Sequence, residues 1–245
     1  MIKRLRIFAG PNGSGKSTFI KNFPALPNKN IKLGFYVNAD DIERSLREEY
    51  FIDLSEFGIS ITTNQIQEYF KRSTFSPVKL SNPHLWEYFS IENNILKINR
   101  ALSINSYIAA DLAELIRQTL LDNKLSFSYE TVMSDEKKID FLHAAKAAGY
   151  RIYLYYFATE DPIINVNRVK LRVAQHGHPV DPAIIESRYY KSLANLKAAV
   201  KVSKRAYLFD NSYLSILIAE ITNGTEVDLI DQNIIPNWFR KYLIE

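Results

Sequence analysis

Gly10-Pro11-Asn12-Gly13-Ser14-Gly15-Lys16-Ser17 decides the fold. It is preceded by Leu5-Arg6-Ile7-Phe8-Ala9, an apolar run of strand length, and followed by a segment from Ser17 to about Phe23 with helical character. A strand, then G-x-x-x-x-G-K-S, then a helix is the context that gives this pattern its specificity. The glycines let backbone N–H groups turn inward around phosphate oxygens, where a side chain would collide. The helix that follows directs its positive end at the same place. Lys16 is placed to neutralise the β- and γ-phosphates, and the Ser17 hydroxyl to ligate Mg²⁺, with Thr18 extending the cradle. ATP and Mg²⁺ are the expected cofactors.

Outward from the loop, strands and helices alternate. Leu33–Val37 reads as a second strand ending at Asn38-Ala39-Asp40. Strand-like segments return at Ser126–Glu130, Arg151–Ala158 and Arg205–Asp210, separated by helical stretches at Glu136–Ala148, Asp161–Ala174 and Pro182–Val200. This order predicts an α/β fold of the P-loop NTPase, nucleotide-kinase-like type: a parallel sheet flanked by helices on both faces. Residues 1–245 are expected to form a single domain, with a mainly helical insertion at about 41–123 that takes the substrate. Within it, Ala101–Leu121 has Leu112, Leu115, Ile116 and Thr119 on one side of a helix. No internal repeat or low-complexity tract interrupts the pattern.

Composition sets the outer bounds. The 245 residues are 47% hydrophobic and 24% charged, an ordinary globular balance. The absence of cysteine excludes disulfides, thiolate catalysis and cysteine-ligated metal. A net charge of +4, without a long run of Lys or Arg, permits a polyanionic partner but does not demand one. Lys3, Arg4 and Arg6 lead into Ile7-Phe8-Ala9, too short for a signal-peptide core, and the longest apolar run, Ile152–Ala158, is strand-length. The expectation is a cytoplasmic protein with no membrane partner.

No Asn-Lys-x-Asp is present to read guanine, nor Leu-Ser-Gly-Gly-Gln to complete a transporter-type ATPase. A small kinase remains, and it needs a base and a charge clamp. Asp40 ends a strand on the edge where open α/β sheets bind ligands, and is the candidate base. The alternative is an N-cap, since Asp40-x-x-Glu43 fits a capping box. Glu130, at the end of the third strand beside hydroxyl residues, is a candidate for Mg²⁺ or for orienting substrate, against a solvated strand end. Asn165, Arg168 and Arg172 fall on one side of a helix, so both arginines can reach a transferring phosphoryl group, against an ordinary solvated face. Gln175-His176-Gly177-His178-Pro179-Val180 breaks that helix and reads as the joint of a lid. His-x-His followed by Asp181 lacks a third well-placed ligand for metal. Asn211 in Asp210-Asn211-Ser212 is a candidate contact to the nucleotide, against a plain turn.

These segments resemble the zeta toxin family of P-loop kinases, in its chromosomal branch. The resemblance rests on Ala9–Ser17, Asn38-Ala39-Asp40, Phe127-Ser128-Tyr129-Glu130-Thr131, Arg168-Val169-x-x-Arg172-Val173, Gly177-His178, Arg188-Tyr189 and Asp210-Asn211-Ser212, in family order. It implies transfer of a phosphoryl group from ATP to a nucleotide-sugar hydroxyl, as in UDP-N-acetylglucosamine, and an antitoxin protein as partner. It implies Asp40 as base, Lys16 as phosphate lysine, Arg168 with Arg172 as clamp, and Glu130, Thr131 and Glu114 toward the substrate. His176 departs from the glycine usual there, and 41–123 carries no recognisable match to the family's substrate domain. Two other readings stay open. One is a nucleotide or nucleic-acid end kinase, for which Phe70-Lys71-Arg72 with Phe75, and His84–Tyr88, are the basic-aromatic candidates. The other is a nucleotide-dependent switch that binds a partner protein. Nucleic acid is the less expected partner.

Overall fold

A computed structural model describes residues 2–22, 32–174 and 180–245. The chain divides into two compact units, residues 1–32 with 128–245, and residues 33–127.

The first unit is built on a sheet. Its strands are β1 (Arg4–Ala9), β6 (Phe127–Thr131, entered from the second unit), β7 (Arg151–Ala158), β8 (Arg205–Asp210), β9 (Ile216–Thr222) and β10 (Glu226–Leu229). Their order is β10-β9-β8-β7-β1-β6. β1 and β8 both run parallel to β7, with Ile7 opposite Leu154 and Tyr156 opposite Leu208. The near-continuous apolar run of β7 is what a central strand covered on both faces requires. The helices are α1 (Lys16–Asn22), α6 (Lys137–Ala147), α7 (Pro162–Ala174), α8 (Pro182–Ala194), α9 (Leu196–Val202) and the short α10 (Asn237–Phe239). The expected single helix from Pro182 to Val200 is two helices meeting at Asn195, whose side-chain amide donates to the Met133 carbonyl at 3.0 Å.

The expected α/β sheet is present, with an addition at one edge. β9 is antiparallel to β8 and β10 to β9. The few residues between β8 and β9 are too short for a crossover, so the chain can only turn back. Asn223 and Gly224, both at positive φ, then make the hairpin to β10.

One sheet face carries a layer of rings. Phe8 stacks on Tyr155 (centroids 5.0 Å apart), Tyr155 on Tyr207 (4.9 Å), and Phe157 on Phe209 (4.8 Å). Phe19 of α1 sits against Phe157 and Phe209 at 4.8 and 5.0 Å. The helix that leaves the glycine loop is thereby fixed to the sheet by aromatic packing, and so is the loop's exit.

The second unit comprises β2 (Phe35–Val37), α2 (Ala39–Glu49), β3 (Phe51–Asp53), α3 (Thr63–Arg72), α4 (Ser76–Lys79), β4 (Phe89–Glu92), β5 (Ile95–Ile98) and α5 (Ser106–Asp122). Within this unit the Phe35 N–H of β2 donates to the Ser126 carbonyl at 3.3 Å. α2 packs against α5, and Ile42, Leu46, Ile108, Leu112 and Ile116 of the two helices are all buried. Beside the helices lies a feature absent from the helical expectation, an antiparallel sheet of order β3-β5-β4. Its β4–β5 hairpin turns on Asn93 and Asn94, both left-handed. Phe70 of α3 stacks on Phe89 of β4 at 4.0 Å and both are buried, so this part of the proposed basic-aromatic patch is core.

α5 starts at Ser106 because Asn105 caps it, accepting from the Tyr107 and Ile108 N–H groups at 3.0 and 3.3 Å. Asn105→Ala is expected to cost about 1 kcal/mol, read as a fall of a few degrees in Tm. An unchanged melting curve would show that this cap contributes nothing.

Candidate active site

The loop Gly10–Ser17 joins β1 to α1. Gly13 and Gly15 have φ of +74° and +90°, which L side chains rarely adopt. A Cβ on Gly13 would lie 2.7 Å from the Asn165 carbonyl oxygen, and one on Gly15 would lie 2.0 Å from the Asn211 amide nitrogen. The backbone therefore approaches its neighbours as only glycine permits.

Lys16 is buried over the loop, its ammonium donating to the Gly10 and Pro11 carbonyls at 2.7 and 2.8 Å. Ser14 Oγ is buried with no protein partner among the described residues. A charged donor and an unspent hydroxyl on a glycine-built loop fit a polyphosphate. The Gly10 N–H donates to the Thr131 carbonyl at 3.3 Å, which joins the start of the loop to the end of β6. Thr131 Oγ1 accepts from the Met133 N–H, a turn that holds Met133 at positive φ.

Glu130 is one residue before Thr131, and Ser17 Oγ donates to its Oε2 at 2.9 Å. These two residues, 113 apart in sequence, supply two hard oxygen donors next to the phosphate loop. Mg²⁺ favours such donors and retains waters and phosphate oxygens for the rest of its shell. The donor set fits that ion. Among the described residues no cluster of three or more His, Asp or Glu side chains would hold a metal by protein ligands alone.

α7 and the end of β8 close the loop from the other side. Asn165 is fully buried; its Nδ2 donates to the Asn12 carbonyl at 2.7 Å and its Oδ1 accepts from Thr159 Oγ1. Asn211 Nδ2 donates to the Ser14 carbonyl at 2.7 Å, and its own N–H donates to the Ala158 carbonyl at 2.8 Å. Arg168 donates through Nη1 to the Asn211 carbonyl at 2.7 Å and through Nη2 to the Ser212 carbonyl at 3.1 Å. Ser212 Oγ accepts from the Glu160 N–H at 2.9 Å. Burial, aided by Glu160 and Asp161, raises the Tyr189 phenol well above its ordinary pKa, so it stays a donor, to the Thr159 carbonyl at 2.5 Å.

Of the residues expected at the site, Gly10–Ser17, Glu130, Thr131, Arg168 and Asn211 are joined by direct contacts in the first unit. Thr18 is exposed on α1, and Arg172 is exposed one turn beyond Arg168 on α7. Within its stripe only Val169 is deeply buried; Val173 is exposed. Asp40 and Glu114 belong to the second unit. Asp40 is an exposed residue in the first turn of α2, and it is not the cap. Asn38 is the cap, its Oδ1 accepting from the Asp40 N–H at 3.0 Å, while the Glu43 expected for a capping box pairs with Arg47. Glu114 pairs on α5 with the buried Arg117. Gln175, His176, Gly177, His178 and Pro179 lie outside the described residues, and Asp181 caps α8.

The holds by Asn165, Thr159 and Ser212 were not legible beforehand. The one available signal was Asn165 on the same helical side as Arg168. No described helix is long and apolar enough to cross a membrane.

The family model described as zeta toxin matches residues 63–225, beginning downstream of the phosphate loop. No curated protein matches the chain. Among solved structures, AvrRxo1-ORF1:-ORF2 with ATP superposes with a TM-score of 0.52 at 14% identity, covering 98% of this chain and 63% of that one. The same complex with sulphate ions gives 0.51 at 14%, with the same coverage. The PezAT chromosomal toxin-antitoxin system of Streptococcus pneumoniae gives 0.46 at 13%, covering 88% of this chain and 70% of that one. The chain thus spans about 63% of the length of the AvrRxo1 chains it matches, and at these identities the likeness is one of fold. The family match extends over about two-thirds of the sequence and includes Glu130, Arg168 and Asn211. The chain belongs to the zeta toxin family of P-loop kinases.

Proposed function

We propose that this chain is an ATP-dependent kinase that phosphorylates a hydroxyl of a nucleotide sugar such as UDP-N-acetylglucosamine. The observation that carries the reading is the Ser17–Glu130 hydrogen bond beside a glycine-built loop with a buried lysine. Lys16 meets the charge of the β- and γ-phosphates. Ser17 and Glu130 would hold Mg²⁺, which would supply further positive charge to the nucleotide phosphates. Asp40 accepts the proton of the acceptor hydroxyl as its oxygen bonds to the γ-phosphorus. The bond from that phosphorus to the bridging oxygen breaks, and ADP leaves with the electron pair. Arg168, anchored at the end of β8, and Arg172 neutralise charge on the equatorial oxygens. Glu130, Thr131 and Glu114 orient the acceptor, and Asn211 bounds the nucleotide. An antitoxin protein is the partner that family membership favours, and the cytoplasm the compartment.

The test is a screen of ATP-dependent phosphorylation over nucleotide sugars, nucleosides and oligonucleotides, read by mass spectrometry. Phosphate on a nucleotide sugar supports the reading. Phosphate on an oligonucleotide end replaces it with an end kinase. ATP hydrolysis without any acceptor replaces it with a nucleotide-dependent switch. Glu130→Gln keeps the shape of the side chain and removes its charge. It is expected to raise the Mg²⁺ concentration for half-maximal activity about 10–100-fold; an unchanged magnesium titration would remove Glu130 from the metal site.

A further inference from the structure

Two loop carbonyls are held by side-chain amides from distant segments: Asn12 by Asn165 of α7, and Ser14 by Asn211 at the end of β8. In a trans peptide the C=O of one residue and the N–H of the next point in opposite directions. Tying the Asn12 carbonyl to α7 turns the Gly13 N–H away from α7. Tying the Ser14 carbonyl to Asn211 turns the Gly15 N–H away from β8. An unheld glycine peptide flips at little steric cost, so these two sites are where loop geometry most needs an external hold.

The energetic case is clearest at Asn165. A fully buried amide costs free energy unless its hydrogen-bonding groups are met. Here the Oδ1 accepts from Thr159 Oγ1 and the Nδ2 donates to the loop. Thr159, itself buried, thereby fixes the orientation of the amide so that its NH₂ faces Asn12. An apolar residue would fill this helix position without such requirements.

We infer that Asn165 and Asn211 are positioning residues for the nucleotide phosphates, aiming the Gly13 and Gly15 N–H groups into the loop. The inference rests on the reading that this loop binds ATP. Neither amide is catalytic; each acts through a peptide group.

With eight glycines in the chain, ¹⁵N-glycine labelling reports each amide separately. On adding ATP with Mg²⁺ to the full chain, the Gly13 and Gly15 cross-peaks are expected to move downfield as their N–H groups meet phosphate. N165D, isosteric but without the donor, should abolish the Gly13 movement, and N211D the Gly15 movement. ATP affinity should fall about tenfold in each, the equivalent of one lost hydrogen bond. The other glycine peaks should stay where they are in the ligand-free protein. Should N165D not fold, T159V, which removes the hydroxyl that orients Asn165, carries the same expectation for Gly13. If both peaks still move as in the wild type at unchanged affinity, the inference is overturned. Displacement of all the glycine peaks in ligand-free variants would mark a purely structural role and overturn it as well. Wild-type peaks that ignore ATP would overturn the nucleotide reading itself, and this inference with it.

Discussion

Lys16→Ala is expected to abolish measurable turnover and to weaken ATP binding by about 10²–10³-fold, the scale on which a preorganised electrostatic donor acts. Two effects add. The phosphates lose the compensating charge of a lysine whose side chain is itself buried, and so held in place, against the loop. The Gly10 and Pro11 carbonyls, which the ammonium now covers at 2.7 and 2.8 Å, are left bare beside the same anion. Lys16→Met, which keeps most of the buried stem, separates charge from packing. It should match the alanine variant in ATP affinity while melting close to the wild type. Calorimetry giving wild-type ATP affinity for both variants would remove Lys16 from nucleotide binding.

How much of this was legible in the sequence follows from how local each requirement is. The glycine loop was readable because phosphate chemistry dictates residue types within eight consecutive positions. β7 was readable because a strand buried on both faces must be apolar nearly throughout, as Ile152–Ala158 is. The antiparallel edge was missed although Ile216–Thr222 is rich in apolar residues and Asn223-Gly224 is a hairpin signal, because β10 (Glu226–Leu229) is too short to mark a returning strand. The short strands β3, β4 and β5 escaped for the same reason: Phe51–Asp53 is too brief to show a period. Asp40 was read as a competing cap because Asp and Glu stood at the right spacing; the structure gives the cap to Asn38, two residues earlier. Arg168 was read as able to reach a transferring phosphoryl group; the anchoring of its guanidinium on the carbonyls of Asn211 and Ser212, some 43 residues away, left no sign in the local pattern. The hold of Asn165 on Asn12 spans 153 residues, and no periodicity encodes a contact at that separation.

Asp40→Asn separates the kinase from the switch, and the structure removes the main confounder. Had Asp40 been the N-cap, its replacement could have loosened α2 and slowed the reaction indirectly. Asn38 performs that task, and it receives the backbone N–H of residue 40, which the substitution keeps. What α2 loses is one of two acidic groups in its first turn, Asp41 remaining. That costs about 0.3–1 kcal/mol through the helix dipole, seen as a small fall in Tm. The side chain is exposed, so no packing is lost. A carboxamide has nearly the shape of a carboxylate but cannot take the acceptor's proton. Loss of a general base typically costs about 10²–10⁴-fold in rate, far more than so small a change in stability produces. Phosphoryl transfer to the acceptor found in the screen should therefore fall by that factor, with ATP affinity within about twofold of the wild type, since no hydrogen bond to nucleotide is removed. Asn38→Ala is the control: it should cost about 1 kcal/mol of stability through the cap and leave the proton-accepting group in place. If Asn38→Ala slows transfer as much as Asp40→Asn does, the effect belongs to α2 as a whole. If Asp40→Asn transfers phosphate at the wild-type rate, Asp40 is not the base, and a protein that binds nucleotide without using this carboxylate is better described as a switch.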